Sequence, residues 1–353
     1  MRKIIFDIGH PAQVHNFKHI YWELTKEGWE GLFVTKDKEI CVYLLEQYNL
    51  PFIVLGKNKK GLLKKILFLL KDIIKFASIV KRFKPDIVIN RMSLHSTLVC
   101  KILGVPQISV ADTEKSLNLS FLPNYIFTAT SFKKDFGEKH LRYRGNIELF
   151  YLHNNWFRAD SSIYDFLGIE RDERYVIIRF VSWDAHHDIG QKGFSYQQKI
   201  ELVKELSKRV KLFISSETTL PDELMEYQIS IPPEKIHNAL YFASLYIGEG
   251  ATMASESAMV GTPAIYVNSL NGAGVFEDEE RAGLLYRIVD GKIATQKAVD
   301  IIKEASKEDY IVKRENYLKD KIDVTSFMIW IIKNYPKSIE IIKANPNYQS
   351  RFQ

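Results

Sequence analysis

Short apolar runs rich in Ile, Val and Phe recur along this chain, separated by longer stretches whose apolar positions fall three and four residues apart. The first pattern is that of a strand buried on both faces; the second is that of an amphipathic helix. "KIIFDI" (3–8) reads as the first strand, followed by a helix over about 14–26 and a second strand, "GLFVT" (31–35). A helix over 38–48 leads to "FIVL" (52–55), and a long helix runs on to Lys84-Pro85, where the proline stops it. "DIVINR" (86–91), a short helix over 94–103 closed by Gly104, "PQISVAD" (106–112) and "YIFTAT" (125–130) complete the clear elements of this half.

The second half repeats the scheme. "YVIIRF" (175–180), a helix over 196–209, "KLFISS" (211–216), a short helix over 235–243, "LYIG" (245–248), a helix over 253–260 and "PAIYVN" (263–268) follow one another. Helices near 276–282, 295–307, 312–319 and 324–335 end the fold, and disorder is expected only at the extreme C-terminus. The stretch 143–162 shows no clear strand and reads as a link between halves. Strands alternating with helices predict parallel sheets covered on both faces, with ligands beyond the carboxyl ends of the strands. At 353 residues two domains are expected. The boundaries fall at 1–150, 151–322 and a helical segment, 323–353, that crosses back to the first domain.

Composition adds little that is specific. Apolar residues make up 46% and charged residues 26%, as in ordinary globular proteins, and the formal charge of +6 permits anionic ligands without naming one. No nucleic-acid recognition motif is present, so nucleic acid is not expected as a partner. Cys41 and Cys100 sit in apolar contexts with no second ligand nearby, which argues against disulfides and zinc and fits a reducing cytoplasm. "MRKIIFDIGHPAQ" meets an acid at Asp7 too early for a signal peptide.

The stretch 57–82 changes the picture only in part. Lysines interrupt it too often for a membrane span, and Lys64, Lys71, Lys75 and Arg82 share one helical face. It reads as a domain helix with a solvated basic stripe or, alternatively, as a peripheral contact with the anionic inner face of a membrane, reaching a lipid-linked substrate.

The most informative stretch is "LYIGEGATMASESAMVGTPAIYVN" (245–268). A strand ends at Gly248, and a helix begins within a few residues. Glycines at 248 and 250 allow close backbone approach and positive φ, while free N–H groups and the positive dipole end at the helix start suit a diphosphate. Ala251 lies at that start, Thr252 and Ser255 offer hydroxyls, and Glu256 falls where it can accept both hydroxyls of a ribose. An acid near a helix N-terminus is also stabilising by about 0.3–1 kcal/mol without any ligand. Met253 breaks the G-x-G-x-x-G spacing of dinucleotide binders.

"GEGATMASESAMVGTPAIYVN" resembles the nucleotide-sugar motif of GT-B enzymes, namely the glycosyltransferase that builds the lipid-linked peptidoglycan precursor and the non-hydrolysing UDP-N-acetylglucosamine 2-epimerases. The resemblance implies that Glu256 holds the ribose, that Gly250, Ala251 and Thr252 hold the diphosphate, and that Ile236 and His237 contact the base. "VINRMSLHSTLVCKILGVPQISVADTEKSLN" is similar to an epimerase segment, and "YRGN" (143–146) to its domain-closing turn. "FDIGHPAQVHNFK" and "RFVSWDAHHD" look most like an archaeal and bacterial family of unassigned function, domain of unknown function 354. The implied fold is α/β of GT-B type, two Rossmann-like domains facing across a cleft. Glu249 departs from the small residue usual between the two glycines. An acid there repels a diphosphate unless it points away or pairs with Arg179.

Other strand ends carry further candidates. His10 follows the first strand and is either the base for an acceptor hydroxyl or the cap of the next helix. His15, early in that helix, and Arg91, ending the fourth strand, are candidates for sugar or acceptor contacts. Asp112 and Glu114 end the fifth strand; the epimerase comparison gives an acid at the Glu114 position a part in proton transfer, and an N-cap by Asp112 is the plainer reading. Glu217 ends another strand. In "RFVSWDAHHDIGQKG", Arg179, Ser182 and Lys192 suit a departing diphosphate, and Asp184, His186 and His187 suit sugar or acceptor. Adjacent histidines point different ways, so no metal is expected. Asn271 lies in a Gly-containing loop that touches the sugar or caps its helix.

The expected activity is therefore transfer of a sugar from a nucleotide-sugar, of UDP type, to an acceptor bound by the first domain, with His10 as base and no cofactor. A non-hydrolysing 2-epimerase using Asp112, Glu114 and Glu217 is the alternative; a non-catalytic nucleotide-sugar binder is the other.

Overall fold

The computed structural model describes residues 1–57, 62–113, 121–171, 173–181, 193–269 and 274–353. They form two compact units: Met1–Trp156 together with Asp320–Gln353, and Phe157–Lys319.

The first unit is built on strands β1 (Lys3–Ile8), β2 (Glu30–Asp37), β3 (Phe52–Lys57), β4 (Ile87–Asn90), β5 (Gln107–Val110), β6 (Tyr125–Ala129) and β7 (His140–Tyr143). Interleaved with them are helices α1 (Pro11–Lys26), α2 (Glu39–Gln47), α3 (Leu62–Phe83) and α4 (Leu94–Leu103), with the short α5 (Leu149–Leu152) after β7. All pairings are parallel, in the order β3-β2-β1-β4-β5-β6-β7. The order reverses between β1 and β4, where Asp7 stands opposite Asn90. Ile5, Val34 and Val88 on the sheet pack against Phe76, Ile79 and Val80 of α3 and Cys100 of α4. Both cysteines are free and buried.

The second unit contains helix α6 (Ile163–Leu167), strand β8 (Tyr175–Phe180), α7 (Tyr196–Ser207), β9 (Lys211–Ser216), α8 (Ile236–Phe242), β10 (Leu245–Gly248), α9 (Ala251–Met259) and β11 (Ala264–Val267). These are followed by α10 (Gly274–Arg281), β12 (Leu285–Ile288), α11 (Gly291–Glu304) and α12 (Lys307–Leu318). Its parallel sheet runs β12-β11-β10-β8-β9, with the reversal between β8 and β10. Val176, Ile178, Ile247 and Ile265 bury one sheet face under Leu202 and Leu206 of α7 and Ala298 and Ile301 of α11. Ser195 and Gln198 form a reciprocal capping box that fixes where α7 begins.

Helices α13 (Val324–Lys333) and α14 (Lys337–Ala344) then complete the first unit. Asp323 is the anchor: its carboxylate caps α13 through the Ser326 amide at 2.9 Å and accepts from Trp156 Nε1 at 2.7 Å and Asn155 Nδ2 at 2.9 Å. The C-terminus is ordered rather than disordered. Pro346–Phe352 form 3-10 turns, and Tyr348 stacks on Trp330 with ring centroids 4.9 Å apart.

The structure differs from the sequence reading in two further places. The strands β7 and β12 were not expected; both are edge strands with mixed polar character, "HLRY" and "LYRI". The stretch 143–162 is more than a link, since Asn146 and Ile147 to Leu152 are buried and belong to the first unit. Among the described residues no helix is long and apolar enough to cross a membrane. On α3 the basic stripe is partly engaged: Lys75 Nζ donates to the carbonyls of Val54 and Leu55 at 2.7 and 2.8 Å.

Candidate functional site

In the second unit the polar residues gather at the carboxyl ends of β8, β9 and β10, where open parallel sheets bind ligands. Gly250 is the N-cap of α9 and offers no side-chain cap, so the first-turn amides of Ala251, Thr252 and Met253 begin an uncapped helix. Ala251 is half-buried and Thr252 exposed. The helix starts at residue 251, two residues earlier than its apolar periodicity indicates.

The two glycines are required by close approach rather than by positive φ. A Cβ on Gly248 would stand 2.8 Å from the backbone nitrogen of Arg179 on the neighbouring strand; one on Gly250 would lie 3.1 Å from Arg179 Cγ. Gly250 has φ −88°. The glycines thus make room for Arg179, whose guanidinium donates to Ser215 Oγ at 2.6 Å and to Glu217 Oε1 at 2.7 Å. Glu217 is therefore a partner of Arg179 at the end of β9, held in an ion pair.

Glu249 is engaged by two backbone amides and by Lys199 rather than by Arg179. It is buried, with Oε2 accepting from Val181 N at 3.0 Å and Oε1 from Phe194 N at 2.8 Å, and Lys199 Nζ lies 3.6 Å away. Burial pushes its carboxyl up, against the lowering effect of Lys199 and the two amides. The sequence reading missed this role; the only signal was the anomaly of an acid between two glycines.

Glu256 is buried, and its Oε1 lies 3.0 Å from Nε2 of the equally buried His237 on α8. The structure thus brings the ribose candidate and the base candidate together as a pair. Ile236 opens α8 and is half-buried. Ser255 turns inward and donates to Glu279, so its hydroxyl serves the fold of α9 and α10.

In the first unit Arg91, Asp112 and Asn16 converge at the ends of β4 and β5 and on α1. Arg91, whose side chain is only 8% exposed, pairs with Asp112 and donates to Asn16 Oδ1 at 2.7 Å. Despite its desolvation there, the guanidinium holds the Asp112 carboxyl below the usual range. Asp112 is thus an ion-pair partner. His10 is exposed and caps α1: its Nδ1 accepts from Ala12 N at 3.2 Å. That contact is the capping alternative of the sequence reading; it uses the Nδ1 lone pair, so the neutral ring carries its proton on Nε2 and offers a donor there. His15 is buried between the rings of Tyr48 and Tyr151. Glu114, Ser182, Asp184, His186, His187, Lys192 and Asn271 lie outside the described residues.

Comparison with known proteins bears on this geometry. The family described as "protein of unknown function (DUF354)" matches residues 2–335. An uncharacterized protein of Methanocaldococcus jannaschii is 26% identical, covering 94% of this chain and 98% of its own length. Among solved structures, the UDP-GlcNAc 2-epimerase from Neisseria meningitidis bound to UDP-GlcNAc superposes with a TM-score of 0.69 at 12% identity, over 94% of this chain and 100% of that one. The spinosyn rhamnosyltransferase SpnG complexed with thymidine diphosphate gives 0.63 at 11% identity, over 95% and 100%. These likenesses show the fold: two parallel-sheet α/β domains of the GT-B type.

Proposed function

The chain belongs to the DUF354 family, and from that premise we propose that it transfers a sugar from a UDP-type nucleotide-sugar to an alcohol acceptor. One observation carries the reading. Arg179 lies against Gly248 and Gly250, beside the uncapped start of α9 and at the reversal of strand order. A guanidinium and the first-turn amides of a helix whose N-cap residue offers no side-chain cap suit a diphosphate, and they meet the charge that grows on it as the glycosidic bond breaks. Glu256, oriented by His237, supplies the acceptor for ribose hydroxyls. Relatives in fold that bind UDP-GlcNAc or thymidine diphosphate support the ligand class.

The state of Asp112, one of the three acids the epimerase reading uses, favours transfer over epimerisation. An epimerase needs carboxyl groups that exchange protons near neutral pH. Asp112 is held ionised by Arg91, and Glu217 is paired with Arg179. His10, with Nδ1 committed to Ala12, orients an acceptor through Nε2. The test is incubation of the full chain with a panel of UDP-sugars, with and without alcohol acceptors. Transfer predicts UDP and a glycoside only when an acceptor is present. Isomerisation at the sugar C2 without acceptor identifies an epimerase instead, and tight binding with no turnover identifies a binding protein.

A further inference from the structure

Three side chains that the sequence reading passed over line up where strand order reverses in the first unit. Ser93 heads α4 as its N-cap, yet its hydroxyl makes no cap bond. Oγ lies instead 3.0 Å from His95 Nδ1, and His95 Nε2 lies 3.2 Å from Asp7 Oδ1. Asp7 and His95 are buried, while Ser93 is half-buried. Ser93 is the least buried of the three, and the Ser93 and Ser96 hydroxyls also favour the charged Asp7 carboxylate.

The turn that carries Ser93 is held by the side chain of Asn90. Asn90 Oδ1 accepts from Met92 N at 3.1 Å and from Ser109 Oγ at 2.6 Å, and Asn90 Nδ2 donates to Ser96 Oγ at 2.7 Å and Thr97 Oγ1 at 3.0 Å. Met92 is thereby held at φ +56°, a conformation a side chain of its size rarely adopts. Strained residues persist where their surroundings over-determine them, and they cluster at functional sites. Phe76 of α3 closes the other side of His95 with its ring edge-on at 5.4 Å.

We propose that Ser93, His95 and Asp7 form a hydroxyl–imidazole–carboxylate relay that takes the proton of the attacking alcohol. The proposal rests on the transferase reading above for its substrate class. As the acceptor oxygen bonds to the anomeric carbon, the bond from that carbon to the diphosphate breaks, and its electron pair leaves with the diphosphate. The acceptor's proton passes to Ser93 Oγ while the Ser93 proton passes to His95 Nδ1. Asp7 holds the imidazolium that results, through Nε2–H. Ser93 is the catalytic group; His95 and Asp7 are positioning residues. Burial opposes an imidazolium at His95, but Asp7 outweighs it and raises the affinity of the ring for a proton. The other charged groups that face the ring are Lys36 of β2 and Asp72 of α3, themselves paired at 3.1 Å.

Two measurements on the full chain test this. The first is independent of any nucleotide. A fluorophosphonate reacts with a serine that can pass its proton to a base: the P–O bond forms, fluoride leaves and the imidazole takes the proton. Mass spectrometry should find label on Ser93, lost in Ser93→Ala and reduced at least about tenfold in His95→Asn, because base assistance is worth about 100-fold or more. Labelling of Ser93 no faster than that of other serines overturns the relay. The second is UDP release from UDP-N-acetylglucosamine with glycerol as acceptor, beside calorimetric binding of UDP. Ser93→Ala should lower release about 100-fold and leave UDP binding unchanged, and the pH profile of the remainder should lose the limb set by His95. Release within twofold of the parent overturns the relay. If the parent neither binds UDP nor releases it, the nucleotide-sugar reading fails, and the fluorophosphonate result alone decides the relay.

Discussion

His237 Nε2 stands 3.0 Å from Glu256 Oε1, and both side chains are buried. An imidazole that holds one carboxylate oxygen fixes the plane of the group and so the direction in which the carboxylate can accept. Glu256→Gln should weaken UDP about 10–100-fold, the range expected when charge-assisted hydrogen bonds worth about 1.5–3 kcal/mol are lost. Inorganic diphosphate should bind the variant as it binds the parent. Calorimetry with the two ligands separates the cases: an equal loss for both would mean that Glu256 supports the helix start and does not touch a ribose.

Arg179 gives a second prediction of opposite sign at two positions. Arg179→Ala should weaken UDP and inorganic diphosphate alike, by about 100-fold if the guanidinium makes a charge-assisted pair with the ligand. Glu217→Gln removes the competing carboxylate from the same guanidinium, so diphosphate binding should hold or strengthen. Weakened diphosphate binding in Glu217→Gln would show that Glu217 serves as a needed brace for Arg179.

Gly248 is a prediction about stability. Its Cα faces the backbone of Arg179 so closely that an added methyl must displace the paired strand. Gly248→Ala should cost about 1–3 kcal/mol, as overpacking in a rigid core does, and lower the urea midpoint without changing the slope. Gly250→Ala should cost less, because its nearest neighbour is the Arg179 side chain at 3.1 Å. The order of the two midpoints is the measurement.

The Asp7–His95 pair sets a pH dependence. Burial alone would raise the Asp7 carboxyl, but His95 together with the Ser96 and Ser93 hydroxyls holds it below its ordinary value; the charge of Asp7 in turn raises His95 against the burial that lowers it. A depressed carboxyl contributes stability above the unfolded value near 4, lost as pH falls through the folded value. A raised histidine contributes below the unfolded value near 6.5, lost as pH rises through the folded value. The pair therefore contributes most between about pH 4 and 6.5. Urea midpoints of His95→Asn across pH 4–9 should vary less than those of the parent, with Lys36 and Asp72 present in both. Parallel curves would show the pair to be energetically silent.

How much was legible follows from burial. Strands β1 and β8 and helix α4 have the limits their apolar pattern indicates, because central strands covered on both faces read as unbroken Ile, Val and Phe. The edge strands β7 and β12 were missed because half of each faces outward, so "HLRY" and "LYRI" lack that run. Among the candidate site residues, the places of Arg179, Gly248 and Gly250 near the ends of β8 and β10 were legible. Glu249 and Ser93 were not. Their surroundings depend on residues distant in the sequence: Glu249 grips Val181 and Phe194, and the histidine beside Ser93 meets Asp7, 88 residues before it. His10 shows the reverse: its position was read correctly, but helix capping took the lone pair that base chemistry requires.

The first unit takes its last two helices from the far end of the chain, pinned where Asp323 meets Trp156 and Asn155. On the ribosome that unit emerges first and stays unfinished, its α1 and α5 surfaces uncovered, until everything up to Gln353 has been made. The contiguous lobe formed by Phe157–Lys319 can be complete before it. Birth order and completion order are therefore inverted, and a released chain truncated before Asp320 should show protease resistance in its later half and not in its earlier one.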